Sequence, residues 1–267
     1  MLKDITFGQF YDSSSLLHRS DARMKIVLMV LLIVFIFLSQ NMFSLIFAAV
    51  SVLAILFISR VPFKLYLKNM KAILPVLIFT AIINMFYGEG DAIFSFWIFS
   101  LTADGISRAI FMALRIALLI FISSALTYTT TPNDLTDAIE SLLSPLKYLG
   151  LKSAVHIMAM MMTIALRFIP TLIEEAEKVM NAQKARGADL ESGSLIDRVK
   201  ALIPILIPLL LSSVRRAYEL AEAMECRCYN GGEGKTRMKQ MHLAARDFIS
   251  LAATLVICAG IIVLNFI

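Results

Sequence analysis

The sequence predicts an all-α polytopic membrane protein, with about five transmembrane helices and a cytoplasmic layer of long amphipathic helices. Three observations carry this. The 267 residues are 59% hydrophobic and 17% charged, with a mean hydropathy of +0.79. Soluble domains run nearer ~45–50% apolar and ~25% charged. No residue from Ile26 to Ser59 is charged, and two later segments each begin apolar and end charged.

Residues 1–25 are polar and end basic, with His18, Arg19, Arg23 and Lys25. The opening Met-Leu-Lys-Asp-Ile-Thr has no cleavable apolar core, so no signal peptide is expected to be removed. One helix over 26–59 would reach ~50 Å, too long for a ~30 Å hydrocarbon core. Ser39-Gln40-Asn41 should therefore divide it into a helical hairpin. Arg60, Lys64, Lys68 and Lys71 are spaced for one face of a short surface helix over 60–71. A span over about 72–87 follows, with Pro75 in its first turn.

Gly88-Glu89-Gly90-Asp91 precedes Phe94, Phe96, Trp97 and Phe99. The pattern suits a short hairpin or interfacial loop, because tryptophan favours the headgroup level. A fourth span over about 105–129 contains Arg108, able to snorkel outward, and Arg115 well inside. Arg115 could line a substrate route or bind loop carbonyls or another helix. Residues 133–149 begin with Asn133 and Asp134 as caps, then set Leu135, Ile139, Leu142 and Leu143 against Asp137 and Glu140. That is an amphipathic surface helix. Two long helices over about 151–189 and 195–229 come next, then a last span over 247–267. These divide the chain into a four-helix membrane region (1–131), a helical layer (132–246) and a final span (247–267).

The two long helices carry one signature twice. Ala182-Gln183-Lys184-Ala185-Arg186-Gly187 matches Ala223-Met224-Glu225-Cys226-Arg227-Cys228, with the arginines 41 positions apart (227 − 186). At that offset Ala176 meets Ala217, and Ile169 and Ile173 meet Leu210 and Val214. Solenoids need at least three copies, so two copies read as paired helices, each offering one arginine to a similar partner site. Arginine holds its charge and presents a planar fork to carboxylates and carbonyls. Small neighbours allow close backbone approach.

Basic residues mark the cytoplasmic side. That places the N-terminus and 60–71 inside, and 39–42 and 88–104 outside. Were 153–166 and 201–214 both to cross, the two arginines would face opposite compartments. Each apolar stretch is also short, about 21 Å against a ~30 Å core. Both are therefore expected at the cytoplasmic face. Met158, Met160, Met161 and Met162 would suit an adaptable contact there.

Other motifs read blandly. Gly231-Gly232-Glu233-Gly234-Lys235-Thr236 has Tyr229 where a Walker pattern needs glycine, so it is read as an exit loop. Three cysteines make no disulfide framework, and His18 and His156 stand apart from any ligand set. Glu174, Glu175, Glu177 and Lys178 read as a solvated face. The excess of Lys+Arg 25 over Asp+Glu 20 suits acidic lipid rather than nucleic acid. A membrane enzyme would want clustered aspartates or histidines, which 60–71 and 130–150 lack. A self-sufficient secondary transporter would want inverted repeats and paired intramembrane charges.

Residues 182–189 and 223–237, Phe7-Gly8-Gln9-Phe10, the block Ser15 to Lys25, and Thr129-Thr130-Thr131-Pro132-Asn133-Asp134-Leu135 resemble the transmembrane coupling (T) component of energy-coupling factor transporters. The resemblance covers nearly the whole chain. It implies a non-enzymatic coupling subunit, in a bacterial cell membrane, of an ATP-driven importer of vitamins and related micronutrients. It implies two ATP-binding-cassette ATPase partners, one meeting Ala185, Arg186 and Gly187 and the other Cys226, Arg227 and Cys228. A substrate-binding (S) subunit would lie on Met158, Met161, Met162, Leu206 and Leu210. No cofactor is expected on this chain, ATP being held by the partners. The opening block and the Gly-Gly-Glu-Gly-Lys-Thr run look more like the shared T component than the dedicated cobalt or nickel type. The second signature departs from the family's Ala-Arg-Gly at both flanks, which puts its backbone conformation in question.

Overall fold

A computed structural model describes residues 10–86, 92–96, 99–145, 152–188, 194–231 and 242–266. Asp21 starts α1 (Ala22–Leu38), its carboxylate accepting the Arg23 amide at 3.0 Å. The uncharged run breaks at Ser39–Asn41, and α2 (Met42–Ser59) follows. These arms pack chiefly on later helices rather than on each other. Arg60, in the left-handed region at φ 56°, turns the chain into α3 (Phe63–Phe86).

Helix α3 corrects the expectation of a surface helix followed by a separate span. One continuous helix runs through Pro75. A single proline removes one backbone hydrogen bond, and the apolar residues on either side sustain the helix. Lys64, Lys68 and Lys71 belong to its first turns.

Strands β1 (Ala92–Phe96) and β2 (Phe99–Thr102) pair antiparallel, as the aromatic run suggested. Helix α4 (Ala103–Thr129) packs along α3. Helix α5 (Pro132–Leu143) is capped by Thr131, whose hydroxyl accepts the Asp134 amide at 3.1 Å. Thr131 thus takes the role expected of Asn133 and Asp134. Pro132 opens this helix as well as ending the previous one, its fixed φ suiting a first helical position. Helices α6 (Lys152–Ala185), α7 (Leu195–Cys226) and α8 (Ala245–Asn265) complete the chain. The run 88–91, Trp97, Phe7-Gly8-Gln9, residues 146–149, Asp189 and residues 232–237 lie outside the described residues.

Of the described residues, 10–138 and 242–266 form one compact unit and 139–231 another. In the first, Leu32 and Ile36 of α1, Leu45, Val52 and Leu56 of α2, Leu118 and Ile122 of α4, and Cys258 and Ile261 of α8 share one core. Tyr66 of α3 is fully buried, edge-on to Tyr128 with ring centroids 5.3 Å apart, and its hydroxyl lies 3.0 Å from Ser59 Oγ. Phe57, at 89% exposed, and Phe79, at 65%, face outward, as residues that meet lipid do.

Polar ties fix the helix ends. Asp247 is buried and accepts the Asp21 amide at 3.0 Å and the Ala244 amide at 2.9 Å. Lys25 Nζ donates to the Thr129 carbonyl at 2.9 Å and the His18 carbonyl at 3.3 Å. His18 Nε2 donates to the Tyr11 carbonyl at 2.8 Å, leaving Nδ1 to accept from Ser15 Oγ at 2.6 Å. Burial holds the His18 pKa below the ordinary histidine value, against the opposing pull of the Tyr11 carbonyl. At the other end Asn265 accepts the Gln40 amide at 2.7 Å and donates to the Leu38 carbonyl at 2.9 Å.

The starts of α1 and α8 therefore lie together, as do their ends, so the two helices run parallel. Tyr11 N–H donates to the Tyr128 carbonyl at 3.0 Å, placing the end of α4 at the start of α1. The chain thus leaves α4 and enters α8 on one side.

Arg115 takes the carbonyl-binding role. Its Nη2 donates to the Ser39 carbonyl at the α1–α2 turn, and the guanidinium lies 4.6 Å from the Phe111 ring centroid.

Candidate functional site

The repeated signature ends two helices in the same conformation. Helix α6 stops at Ala185, Arg186 caps it, and Gly187 turns left-handed at φ 86°. The Gly187 amide donates to the Lys184 carbonyl at 3.0 Å and the Ala188 amide to Gln183 at 3.0 Å. Helix α7 stops at Cys226, Arg227 caps it, and Cys228 turns left-handed at φ 53°. Here the Cys228 amide donates to the Glu225 carbonyl at 2.8 Å and the Tyr229 amide to Met224 at 3.1 Å. Both sets form the Schellman pattern that satisfies otherwise unpaired carbonyls. Both of these atom pairs at one end have their counterparts 41 residues later at the other. Cysteine in place of glycine therefore keeps the left-handed turn, at φ 53° against 86°.

Ala185, Arg186, Gly187, Cys226, Arg227 and Cys228 are all exposed. Each arginine stands on a rigid helix end with its charge in solvent and small neighbours on both sides. That arrangement can enter a groove lined by carboxylates or carbonyls. The five residues of the second predicted surface are exposed as well: Met158 54%, Met161 54%, Met162 42%, Leu206 59% and Leu210 65%. With Ile203, Ile207, Leu211 and Val214, also exposed, they leave α6 and α7 with more uncovered apolar surface than scattered single residues would give.

Polar side chains tie the helices together, and Glu175 departs from the sequence expectation. Glu175 is not a plain solvated residue. Its Oε2 accepts from Arg216 Nη2 at 2.8 Å and its Oε1 from Ser212 Oγ at 2.5 Å. The signal was present, since opposite charges occupy positions matched at the repeat offset of 41. His156 is not isolated either. Glu140 Oε1 lies 3.3 Å from its Nδ1, and the Tyr229 hydroxyl 3.3 Å from its Nε2. The residue following Cys228 therefore links the end of α7 to the start of α6.

An early residue of α6 meets the chain just past the end of α7 at His156–Tyr229, while Glu175 meets Arg216 further in. The helices consequently run antiparallel, and Arg186 and Arg227 project to opposite sides of the Glu175–Arg216 contact.

The shortness argument against crossing is corrected here. The apolar stretches 153–166 and 201–214 belong to helices of 34 and 32 residues. By length and composition α2, α3, α4, α6, α7 and α8 could each cross a membrane.

Comparison with known proteins gives a consistent result. A family described as cobalt transport protein (CbiQ) matches residues 13–238. A protein of Ruminiclostridium cellulolyticum named energy-coupling factor transporter transmembrane protein EcfT is 48% identical over 100% of this chain and 99% of its own. Proteins of the same name from Clostridium kluyveri and Bacillus subtilis are 48% and 40% identical, over 98% and 97% of this chain and 97% of each of theirs.

Proposed function

Because the chain belongs to the CbiQ family of transport proteins, a membrane protein family in which its relatives are energy-coupling factor transporter transmembrane proteins, we propose that it is the transmembrane coupling component of an ATP-driven vitamin or micronutrient importer. The observation that carries the mechanism is the pair of identically capped helix ends. Arg186 and Arg227 each dock in a groove on one of two ABC-type ATPase subunits, with Ala185, Gly187, Cys226 and Cys228 permitting the close approach. A rigid helix held at its end converts movement of that groove into movement of the whole helix. Met158, Met161, Met162, Leu206 and Leu210 bear the substrate-binding S subunit, and their uncovered apolar surface supports this. The chain performs no chemistry of its own, and ATP is bound by its partners. Its N-terminus is cytoplasmic, and α6 and α7 lie at the cytoplasmic membrane face.

The test is a pull-down of the ATPases with Arg186→Glu, Arg227→Glu and the double variant, alongside substrate uptake in cells. Breaking one buried charged pair costs roughly 2–5 kcal/mol. Each single variant is expected to impair uptake while keeping an assembled complex, and the double variant to lose both ATPases. Full ATPase binding and full uptake by the double variant would reject the docking role.

A further inference from the structure

An apolar helix surface of leucine, isoleucine and methionine resists separation but tolerates sliding, since many registers bury similar area. Among the described residues two polar contacts set the register of α6 against α7, His156 with the Tyr229 hydroxyl at one end and a three-residue cluster mid-helix. Glu175 of α6 receives both Arg216 and Ser212 of α7. Glu175 and Arg216 are 25% and 33% exposed, respectively, so the pair is half-shielded from water. Glu175 and Arg216 also stand 41 apart, the offset that relates the two arginine signatures. A position that touches its own repeat counterpart lies on the axis relating the copies. Two antiparallel helices meeting in this way have a local two-fold axis through the contact.

The consequence is equal reach. Arg186 lies 11 residues beyond Glu175, and Arg227 lies 11 beyond Arg216 (186 − 175 and 227 − 216). At 1.5 Å per residue each docking end stands ~16 Å from the contact along its own helix. We propose that Glu175, Arg216 and Ser212 are positioning residues: they form the register pin about which α6 and α7 are held as equal arms, so that the two arginine ends fit two alike sites related by a two-fold axis. The proposal rests on the docking role given above to Arg186 and Arg227. A polar group fixing one register among many apolar ones is the best-attested use of such pairs.

The repeat supplies a control. Thr171 occupies the place on α6 that Ser212 occupies on α7 (212 − 171 is again 41). A carboxylate moved to position 216 would therefore find a hydroxyl at 171.

The experiment uses the full chain with Cys226→Ala, Cys228→Gly and Cys258→Ala, spin-labelled at Asn181→Cys and Glu222→Cys. These are matched, exposed positions, each five residues short of its arginine (186 − 181 and 227 − 222). The distance distribution between the labels is measured in lipid nanodiscs. Uptake per ATP hydrolysed is measured in proteoliposomes with the ATPases and an S subunit.

Glu175→Arg alone should broaden the distribution and lower uptake per ATP on the order of ten-fold, within the range by which contacting pairs couple. ATPase pull-down should persist, because Arg186 and Arg227 are untouched. Combining Glu175→Arg with Arg216→Glu should restore both the narrow distribution and the coupling. In that swapped chain Thr171→Val should abolish the rescue, whereas Ser212→Ala, harmful in the native chain, should become silent. If the single variant fails to assemble, restoration of assembly and of the narrow distribution by the swap is the supporting result. The proposal is overturned if the distribution stays narrow in Glu175→Arg, or if the swap restores nothing. Failure of the docking role would instead leave these distances responsive while Arg186→Glu and Arg227→Glu left ATPase binding intact.

Discussion

At residue scale the two helix ends differ in cost rather than in shape. A left-handed conformation is open to glycine and costs other L-residues roughly 1–2 kcal/mol. Gly187 meets it freely, while Cys228 adopts it at φ 53° with a side chain present. A Cβ added at Gly187 would meet no atom within 4 Å, so Gly187→Ala tests the backbone alone. We expect Gly187→Ala to weaken the α6 end by about 1 kcal/mol and Cys228→Gly to strengthen the α7 end by a similar amount. Amide hydrogen exchange at Ala188 and Tyr229 reads this directly, as about five-fold faster and five-fold slower exchange. ATPase pull-down should be unchanged in Cys228→Gly, because the arginine keeps its place. The sequence showed an arginine between small residues at both sites. It could not show that a cysteine would take the glycine's conformation, since cysteine favours ordinary backbone regions when nothing else constrains it.

At element scale the apolar helices were legible, and the ties between them were not. Uncharged runs, a break at Ser39–Asn41 and an aromatic pair of short strands follow from local pattern. The continuity of α3 through Pro75 does not, because lysines at a helix start look the same whether or not the helix continues into lipid. Asp247 bonded to the Asp21 amide, 226 positions away, has no local signature at all. The contact matters because it secures the starts of α1 and α8 at once. Removing the carboxylate leaves the Asp21 and Ala244 amides without that acceptor, and an unsatisfied buried polar group costs about 1–3 kcal/mol. Asp247→Ala is therefore expected to lose ~2 kcal/mol or more of stability, seen as a lower thermal midpoint in detergent. Asp247→Asn should lose less, since its amide oxygen can still accept one of the two bonds. An unchanged midpoint for Asp247→Ala would mean that the staple contributes nothing. The Glu175–Arg216 pair lies between these extremes. It was readable from the repeat offset, yet a local glance at a charge run assigned it to solvent.

At the scale of the whole molecule one geometric fact bears on topology. The arginine ends lie on opposite sides of the α6–α7 contact, each 11 residues from it, and straight antiparallel arms would separate them by up to ~33 Å. That length equals the hydrocarbon thickness of a bilayer, ~30 Å, as well as it suits two sites on a pair of ATPases. If α6 and α7 stood across the membrane, Arg186 and Arg227 would face opposite compartments, and a single ATPase pair could not hold both. If they lie along the cytoplasmic face, the same separation becomes the span between two docking sites. Single cysteines therefore decide the matter, placed in a chain carrying Cys226→Ala, Cys228→Gly and Cys258→Ala. With a membrane-impermeant thiol reagent on intact cells, Gln40→Cys at the α1–α2 turn should label. Ala188→Cys and Asn230→Cys should both stay unlabelled from outside and both react in inverted vesicles. Labelling of Ala188→Cys from outside, with Asn230→Cys protected, would mean that α6 and α7 span the bilayer, and no arrangement of two cytoplasmic ATPases could then engage both arginines.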